Sequence, residues 1–405
     1  MTVVDAPVRP LPRPYLAWLS GFTVGRFGDA VLAFALGWAA SGLGGTTAAL
    51  VLVLNGLPRL VLLVVGGAVA DRVGARRFLV AGEAALLAST VLLALTLARF
   101  GPATWVLVTS SLALGAVTAL CLPAAGSMPR RLVPDEQLPR ALALRQGVSQ
   151  VVLMAAAPLG GLLVGKVGLS PVAWGAAVSI GASLWVLVAG RELSGPAPAA
   201  TVVAPGLGLS EGLRVVVGTR ALRTALVLAG AGAALVLPVP SLLVPLLGRA
   251  SGWGPGPTGA VAGAVGVGAI CAALRAARRQ APAPRRGAAS AATGLAVSAV
   301  GTLLLTTGAA IDGSGVVVAV VGGSVFGYGN GTFAARLAPL LLGGAPRTHL
   351  ARVQALVSLT QLVPVMVTTT ALGALAERTS PGWALGATAA ALAACAVWAR
   401  SRSAG

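Results

Sequence analysis

Residues 67–77 read Gly-Ala-Val-Ala-Asp-Arg-Val-Gly-Ala-Arg-Arg, so one carboxylate and three guanidinium groups fall within eleven consecutive positions. The segments on both sides, 46–70 and 78–98, are strongly apolar. An apolar segment of about 20 residues is long enough to cross a bilayer as a helix. The stretch therefore predicts a short charged turn between two membrane-spanning helices.

The composition extends this interpretation to the whole chain. Of the 405 residues, 57% are hydrophobic and only 10% are charged, and the mean hydropathy is +0.90. In soluble domains about a quarter of the residues are charged. The apolar runs are continuous and lack the alternation of barrel strands, so we predict an all-α membrane protein. Twelve helices are expected, at 15–40, 46–70, 78–98, 103–125, 142–165, 170–190, 222–247, 257–275, 288–310, 315–342, 353–376 and 382–399.

Basic residues are distributed unequally between the two sides of these predicted helices. One side carries 23 of the 29 Arg and Lys residues and the other carries four, while Arg26 and Arg59 fall inside helices. Because cytoplasmic loops are enriched in Lys and Arg, we predict a plasma-membrane protein with both termini in the cytoplasm. The net charge of +19 is spread over seven flanking segments. This distribution indicates a lipid bilayer as the surroundings and argues against a nucleic-acid partner.

The stretch 191–221 separates six predicted helices from six others. Its Gly and Pro residues break the helical pattern and indicate a cytoplasmic linker. We therefore predict an N-terminal six-helix bundle over 1–190, a linker over 191–221 and a C-terminal six-helix bundle over 222–405. A shift of 212 residues supports two related halves, because it superposes Leu138, Arg140, Ala143 and Gly161 on Leu350, Arg352, Ala355 and Gly373.

The charged turn follows a defined pattern: Gly, three residues, Asp, a basic residue, any residue, Gly, any residue and two basic residues. Every defined position is occupied, by Gly67, Asp71, Arg72, Gly74, Arg76 and Arg77. In this respect the chain resembles the major facilitator superfamily of secondary transporters. The resemblance implies two six-helix halves that rock about a midplane site. It also implies that the turn is a gate, whose charges join the halves in the state open to the outside.

Further stretches resemble the branch of that superfamily that contains the enterobactin exporter and multidrug-efflux-like proteins. They are Gly28-Asp29, the stretch 132–140, and the motif of the predicted fifth helix with Pro158, Gly160 and Gly161. The chain departs from drug/proton antiporters in two places. The segment 103–125 has no charged residue, and Ala157 precedes Pro158 where those proteins have Gly.

Residues that suggest catalysis or metal binding do not form sites in this sequence. The stretch 160–167 is close to a phosphate-binding loop, but Val167 replaces the Ser or Thr that would hold magnesium, and no strand precedes it. The single histidine, His349, and the three cysteines lack the spacing of a metal site. We therefore expect no enzymatic activity, no metal and no cofactor.

Charged residues inside the predicted helices indicate function, because Asp, Glu or Arg at a helix centre costs ~2.5–3.5 kcal/mol on insertion scales. At ~1.5 Å per residue, Arg26, Asp29 and Arg59 lie roughly 17–21 Å from the cytoplasmic side. Arg26 and Asp29 are three positions apart, so they face the same way. Two interpretations stay open: an ion pair that holds two helices together, or a proton-binding Asp29 whose proton affinity Arg26 or Arg59 adjusts. Glu83 lies closer to the charged turn, and we assign it to the gate rather than to the pocket.

Candidates for the substrate cavity are polar or aromatic residues at mid-depth in helices expected to face it: Phe34, Asn55, Gln146, Gln150, Tyr328, Asn330 and Gln361. In the superfamily that the chain resembles, helices 1, 4, 7 and 10 line the cavity. The fourth and seventh predicted helices carry almost only small and aliphatic residues, so we expect an apolar cavity with few fixed charges. Trp residues near predicted helix ends are assigned to the membrane interface, Trp18 and Trp38 among them.

Together these features predict a monomeric, proton-coupled exporter of small hydrophobic or amphipathic compounds that works by alternating access. A metabolite importer or facilitator, a lipid transporter and a non-transporting membrane sensor are the alternatives.

The predicted orientation can be measured with a reporter that is active only in the cytoplasm. We expect activity when the reporter follows Arg402 or is inserted near Ala204, and none when it is inserted near Gly252, because the basic residues divide 23 to four between the two sides. Activity at Gly252 would overturn the twelve-helix topology.

Overall fold

A computed structural model describes residues 10–62, 73–190, 220–278, 287–311, 315–343 and 350–404. Within these ranges the ordered elements are helices, and no strand is present. Twelve helices there are long and apolar enough to cross a membrane. The predicted fold class is therefore confirmed. Most of the predicted linker, residues 191–219, lies outside the described ranges.

The first half of the chain contains six of the spanning helices. A short 3-10 turn, Asp135–Gln137, precedes the fifth of them. The helices are α1 (Arg13–Ser41), α2 (Gly45–Gly56, within an apolar span that continues to Leu62), α3 (Ala75–Phe100), α4 (Thr104–Leu132), α5 (Leu138–Val167) and α6 (Leu169–Ala189).

The second half contains the other six. Its first helix, α7, is built from Arg220–Val236, a π-helical turn at Val239–Leu243 and Val244–Ala250. The remaining helices are α8 (Pro255–Arg278), α9 (Gly287–Ala309), α10 (Gly315–Gly343), α11 (Leu350–Arg378) and α12 (Pro381–Ala404).

Helices α4 and α5 extend further than their apolar residues predict. The hydropathy pattern predicts that α4 ends at 125 and that α5 begins at 142. In the structure α4 ends at Leu132 and α5 begins at Leu138. The extra turns carry Arg130 and Arg131. A helix continues beyond the apolar region because its backbone hydrogen bonds are satisfied internally, and arginine is a good helix former.

Five very short connections lie at one end of the bundle, which we call the short-loop end: residues 42–44, 101–103, 168, 251–254 and 379–380. Gly44, Gly101, Gly168 and Gly252 have φ between +69° and +110° in these turns. Glycine adopts this left-handed region without the steric cost of a Cβ atom. It therefore allows each helix to end and the next to begin within a few residues.

Contact between the two halves depends on small residues. Helix α5 packs on α8, where a Cβ atom at Gly161 would collide with the Pro255 carbonyl and one at Gly266 would lie 3.0 Å from Met154. Helix α2 packs on α11, where a Cβ atom at Gly373 would lie 2.6 Å from that of Ala49. In lipid, helices associate through such close approach of their backbones.

The contacts of Gly161 and Gly373 lie toward the short-loop end, and two hydrogen bonds join the halves there. The Thr46 backbone N–H donates to Oε2 of Glu377 at 2.6 Å. Arg249 donates to the Trp38 carbonyl at 3.0 Å, and its guanidinium lies 4.2 Å from the centre of the Trp38 ring. The two halves are therefore closed against each other at the short-loop end.

The α2–α11 contact predicts an effect of a single methyl group. Gly373→Ala should push α2 and α11 apart and lower the melting temperature in detergent, by an overpacking cost of about 1–3 kcal/mol. Gly56→Ala in α2 is the matched control, because a Cβ atom there has nothing within 4 Å. Equal melting temperatures for Gly373→Ala and the wild type would show that the contact adapts without strain.

Candidate functional site

A cavity of about 360 Å³ lies inside the first half of the chain, between α1, α3, α4, α5 and α6. Its wall carries two carboxylates and two guanidinium groups, from Arg26, Asp29, Glu83 and Arg145. Amide, hydroxyl and aliphatic side chains complete the wall. We therefore correct the expectation of an apolar cavity with few fixed charges.

Arg26 and Asp29 form an ion pair in the wall of this cavity. Nη1 of Arg26 donates to Oδ2 of Asp29 at 2.9 Å, and the side chains are 48% and 29% exposed. The adjacent face of α1 packs closely on α6, because a Cβ atom at Gly25 would lie 2.8 Å from Cβ of Ser183. With that face occupied by α6, the two charged side chains point into the cavity.

Arg59 and Glu83 occupy different places. Arg59 of the second span does not line the cavity, although it interacts electrostatically with Arg26 and Asp29. Glu83 of α3 does line it, as Ser183 of α6 does, and it lies within electrostatic reach of Asp29. The structure thus places Glu83 beside the ion pair in the cavity wall.

Arg145 is a cavity residue that the sequence interpretation missed. Its guanidinium lies 4.9 Å from the centre of the Phe22 ring and 5.7 Å from that of Trp18. The two rings stack on each other with centres 5.3 Å apart. Trp18 and Trp38 are only 8% and 6% exposed, so their assignment to the membrane interface is wrong. Arg145 is one of the 23 basic residues assigned to the cytoplasmic side, because it follows the predicted helix start at 142 by only three residues. The helix in fact begins at Leu138, so Arg145 lies about two turns inside it.

One face of α5 supplies polar groups to the cavity. Gln146 and Gln150 line the wall together with Arg145 and Ser149. The spacing of four residues puts each pair on one side of the helix. This repeated spacing of polar residues in the sequence indicates that this face of α5 lines a cavity.

The other predicted cavity residues lie elsewhere. Phe34 is adjacent to Gly160 of α5. Nδ2 of Asn55 donates to the Ser111 carbonyl at 3.3 Å and so joins α2 to α4. Tyr328 lines a separate pocket of about 60 Å³.

Asn330 and Gln361 are not part of either cavity wall, and helices α7 and α10 contribute nothing to the larger one. This differs from the lining by helices 1, 4, 7 and 10 that the resemblance implied. Among the residues that the structure describes, those that line the larger cavity all belong to first-half helices.

The charged turn is described only in part. Gly67, Asp71 and Arg72 lie outside the described residues. Gly74 has φ +95° and precedes α3. Nη2 of Arg76 donates to three carbonyl groups at the C-terminal end of α6, at 2.6–3.2 Å, namely those of Leu187, Val188 and Gly190. Because the last carbonyls of a helix lack intrahelical donors, Arg76 caps α6 within its own half.

The motif of α5 has a packing role in this structure. Gly160 faces α1, where a Cβ atom would lie 3.1 Å from the Val31 carbonyl. Pro158 and Gly161 face α8 in the other half. The motif therefore lets α5 approach α1 and α8 at the same time. Among the described residues, no group of three or more His, Cys, Asp and Glu side chains is placed to hold a metal ion.

Comparison with known proteins gives a family and a fold. The sequence profile of the Major Facilitator Superfamily matches residues 18–341. No curated protein matches the chain significantly.

Several solved structures share the fold at low sequence identity. A bacterial homologue of the iron transporter ferroportin in its inward-facing state is 16% identical, with a TM-score of 0.72 over 98% of this chain and 100% of that one. A bacterial metal transporter is 15% identical, with a TM-score of 0.69 over 97% and 99%. A POT family transporter in complex with a thioalcohol-conjugated peptide is 14% identical, with a TM-score of 0.73 over 96% and 95%.

The Arg76 contacts predict a difference between two neighbouring arginines. Arg76→Gln should lower the free energy of unfolding by about 1–3 kcal/mol, because hydrogen bonds from a charged group to the end of α6 are lost. Arg77→Gln is the control, since Arg77 is exposed and forms no such contact with the described residues. Thermal unfolding of both variants in detergent measures the difference. Equal losses would show that Arg76 does not stabilise α6.

Proposed function

The chain belongs to the Major Facilitator Superfamily, and we propose that it exports small amphipathic compounds in exchange for protons. The family and the twelve spanning helices identify a multi-pass membrane transporter of small molecules. Beyond this, we propose export as the direction of transport, protons as the coupling ion and the plasma membrane as the location. They rest on the ion pair, on the closed short-loop end and on the distribution of basic residues.

The single observation that carries the proposal is the Arg26–Asp29 pair in the cavity wall. Each charge costs ~2.5–3.5 kcal/mol at the centre of a membrane helix, so charges kept there are functional by default. A carboxylate that faces a cavity can be reached by protons and by a substrate. Protonation of Asp29 would neutralise the pair and leave Arg26 without its partner.

The orientation supports export through an inward-facing state. If the side rich in Arg and Lys is cytoplasmic, the short-loop end faces outward. The contacts of Thr46 with Glu377 and of Arg249 with Trp38 then close the outer side. The likeness to a solved inward-facing transporter agrees with this assignment. In this state the cavity would take up a compound from the cytoplasm.

The return to an outward-facing state requires exchange of contacts between the halves. The hydrogen bond of Glu377 and the packing of α2 on α11 must separate at the outer side. We assign the opposite closure to the charged turn, in which Asp71, Arg72 and Arg77 would join the halves on the cytoplasmic side. Arg76, the neighbour of Arg77, is bound to α6 and so belongs to the first half.

Substitution of Asp29 tests the coupling role. Asp29→Asn should abolish uphill export driven by a pH gradient in proteoliposomes, while downhill exchange continues, because Asn keeps the size of Asp but cannot exchange a proton. The matched control is Glu136→Gln in the exposed turn before α5.

A merely structural ion pair gives a different result. Loss of Asp29 would then leave an unpaired cation in the membrane and lower the amount of folded protein. A second change, Arg26→Gln, would restore that amount. Full gradient-driven export by a well-folded Asp29→Asn protein would refute the coupling role.

A further inference from the structure

We propose that the cavity binds a small amphipathic zwitterion, with its anionic group on Arg145 and its cationic group on Glu83. This inference rests on the proposed function and specifies its substrate class. Of the four charged groups in the wall, Arg26 and Asp29 pair with each other. Arg145 and Glu83 have opposite charges, and neither forms an ion pair with another described residue.

Arg145 is prepared to bind an anion. Its guanidinium is held over the Trp18 and Phe22 rings, and it donates no hydrogen bond to a described residue. A guanidinium has five N–H donors in a planar fork that matches a carboxylate. The aromatic faces orient the cation without using those donors. Gln146 and Ser149, on the same face of α5, add neutral donors beside it.

Glu83 supplies the opposite end of the site. It comes from α3, whereas Arg145 comes from α5, and Arg26 lies within electrostatic reach of both. Ser183 of α6 lines the same cavity wall. An ionised carboxylate accepts several hydrogen bonds, so an ammonium group fits here. An ammonium also favours the ionised form of nearby acids and therefore competes with a proton on Glu83 or Asp29.

The body of the ligand would lie against aliphatic side chains between these two ends. Leu79 and Leu86 of α3, Val117 and Leu122 of α4, and Leu153 of α5 line the cavity. Its volume of about 360 Å³ falls in the range of ~300–1,000 Å³ that is usual for small-molecule sites. A linear chain with a carboxylate at one end and an ammonium at the other matches this distribution of charge and apolar surface.

The proposal is tested by equilibrium binding to the purified full-length protein. The probes are ω-amino fatty acids of increasing chain length, each compared with the fatty acid and the alkylamine of equal length. At one length or more, the zwitterion should bind the wild-type protein about tenfold tighter than either singly charged analogue, since charge-assisted hydrogen bonds are of that strength.

Two variants assign the two ends. In Arg145→Gln the zwitterion should bind no better than the alkylamine, and in Glu83→Gln no better than the fatty acid. Arg145→Lys and Glu83→Asp keep the charges and should retain part of the preference. Arg99→Gln is the matched control, because Arg99 also lies over an aromatic ring, that of Phe100, but outside the cavity. This control should bind as the wild type does.

Two results would overturn the proposal. One is that the wild-type protein shows no preference for the zwitterion, and the other is that the preference persists in the Arg145→Gln variant and in the Glu83→Gln variant. Failure of the proposed function is measured separately, by flux in proteoliposomes. If the protein exports other compounds uphill but shows no preference for the zwitterion in binding, the proposed site is refuted and the proposed export function is supported. Preferential zwitterion binding without gradient-driven flux supports the site and refutes export.

Discussion

The ion pair between Arg26 and Asp29 sets the main constraint on this structure. Charges inside a membrane helix are costly, and as a rule they pair with another group and face a cavity. Their spacing on α1 provides the first condition, and the packing of the adjacent Gly25 face on α6 provides the second. The cavity, the neighbouring acid Glu83 and the cation Arg145 are all arranged around this pair.

The closed short-loop end depends on a different kind of contact. At the start of α2 the first N–H groups have no partner within the helix, and Glu377 of α11 accepts one of them across the two halves. The positive end of the α2 dipole favours this carboxylate. Small residues let the same helices touch. One hydrogen bond and a close backbone contact can separate and reform, as alternating access requires.

Much of the fold could be predicted from the sequence, because a run of apolar residues long enough to span a bilayer has few structural solutions. The pairing of Arg26 with Asp29 could also be predicted, since positions three apart share a helix face. The burial of Trp18 and the stacking of Arg145 on the Trp18 and Phe22 rings could not, because they depend on how α1 packs against α5. Hydropathy gives the length of a helix, and it does not show which neighbour covers which face. The same holds for the larger cavity, whose lining among the described residues comes from first-half helices.

The central claim is that protons are exchanged for substrate at the Arg26–Asp29 site. The most direct test is to measure proton release when a ligand binds. If substrate and proton oppose each other in one cavity, linkage requires that binding of either weakens the other. A compound that the protein exports should therefore release protons into weakly buffered solution when it is added to the purified wild-type protein. Asp29→Asn should release fewer. Proton uptake, or no change in pH at saturating compound, would contradict the account.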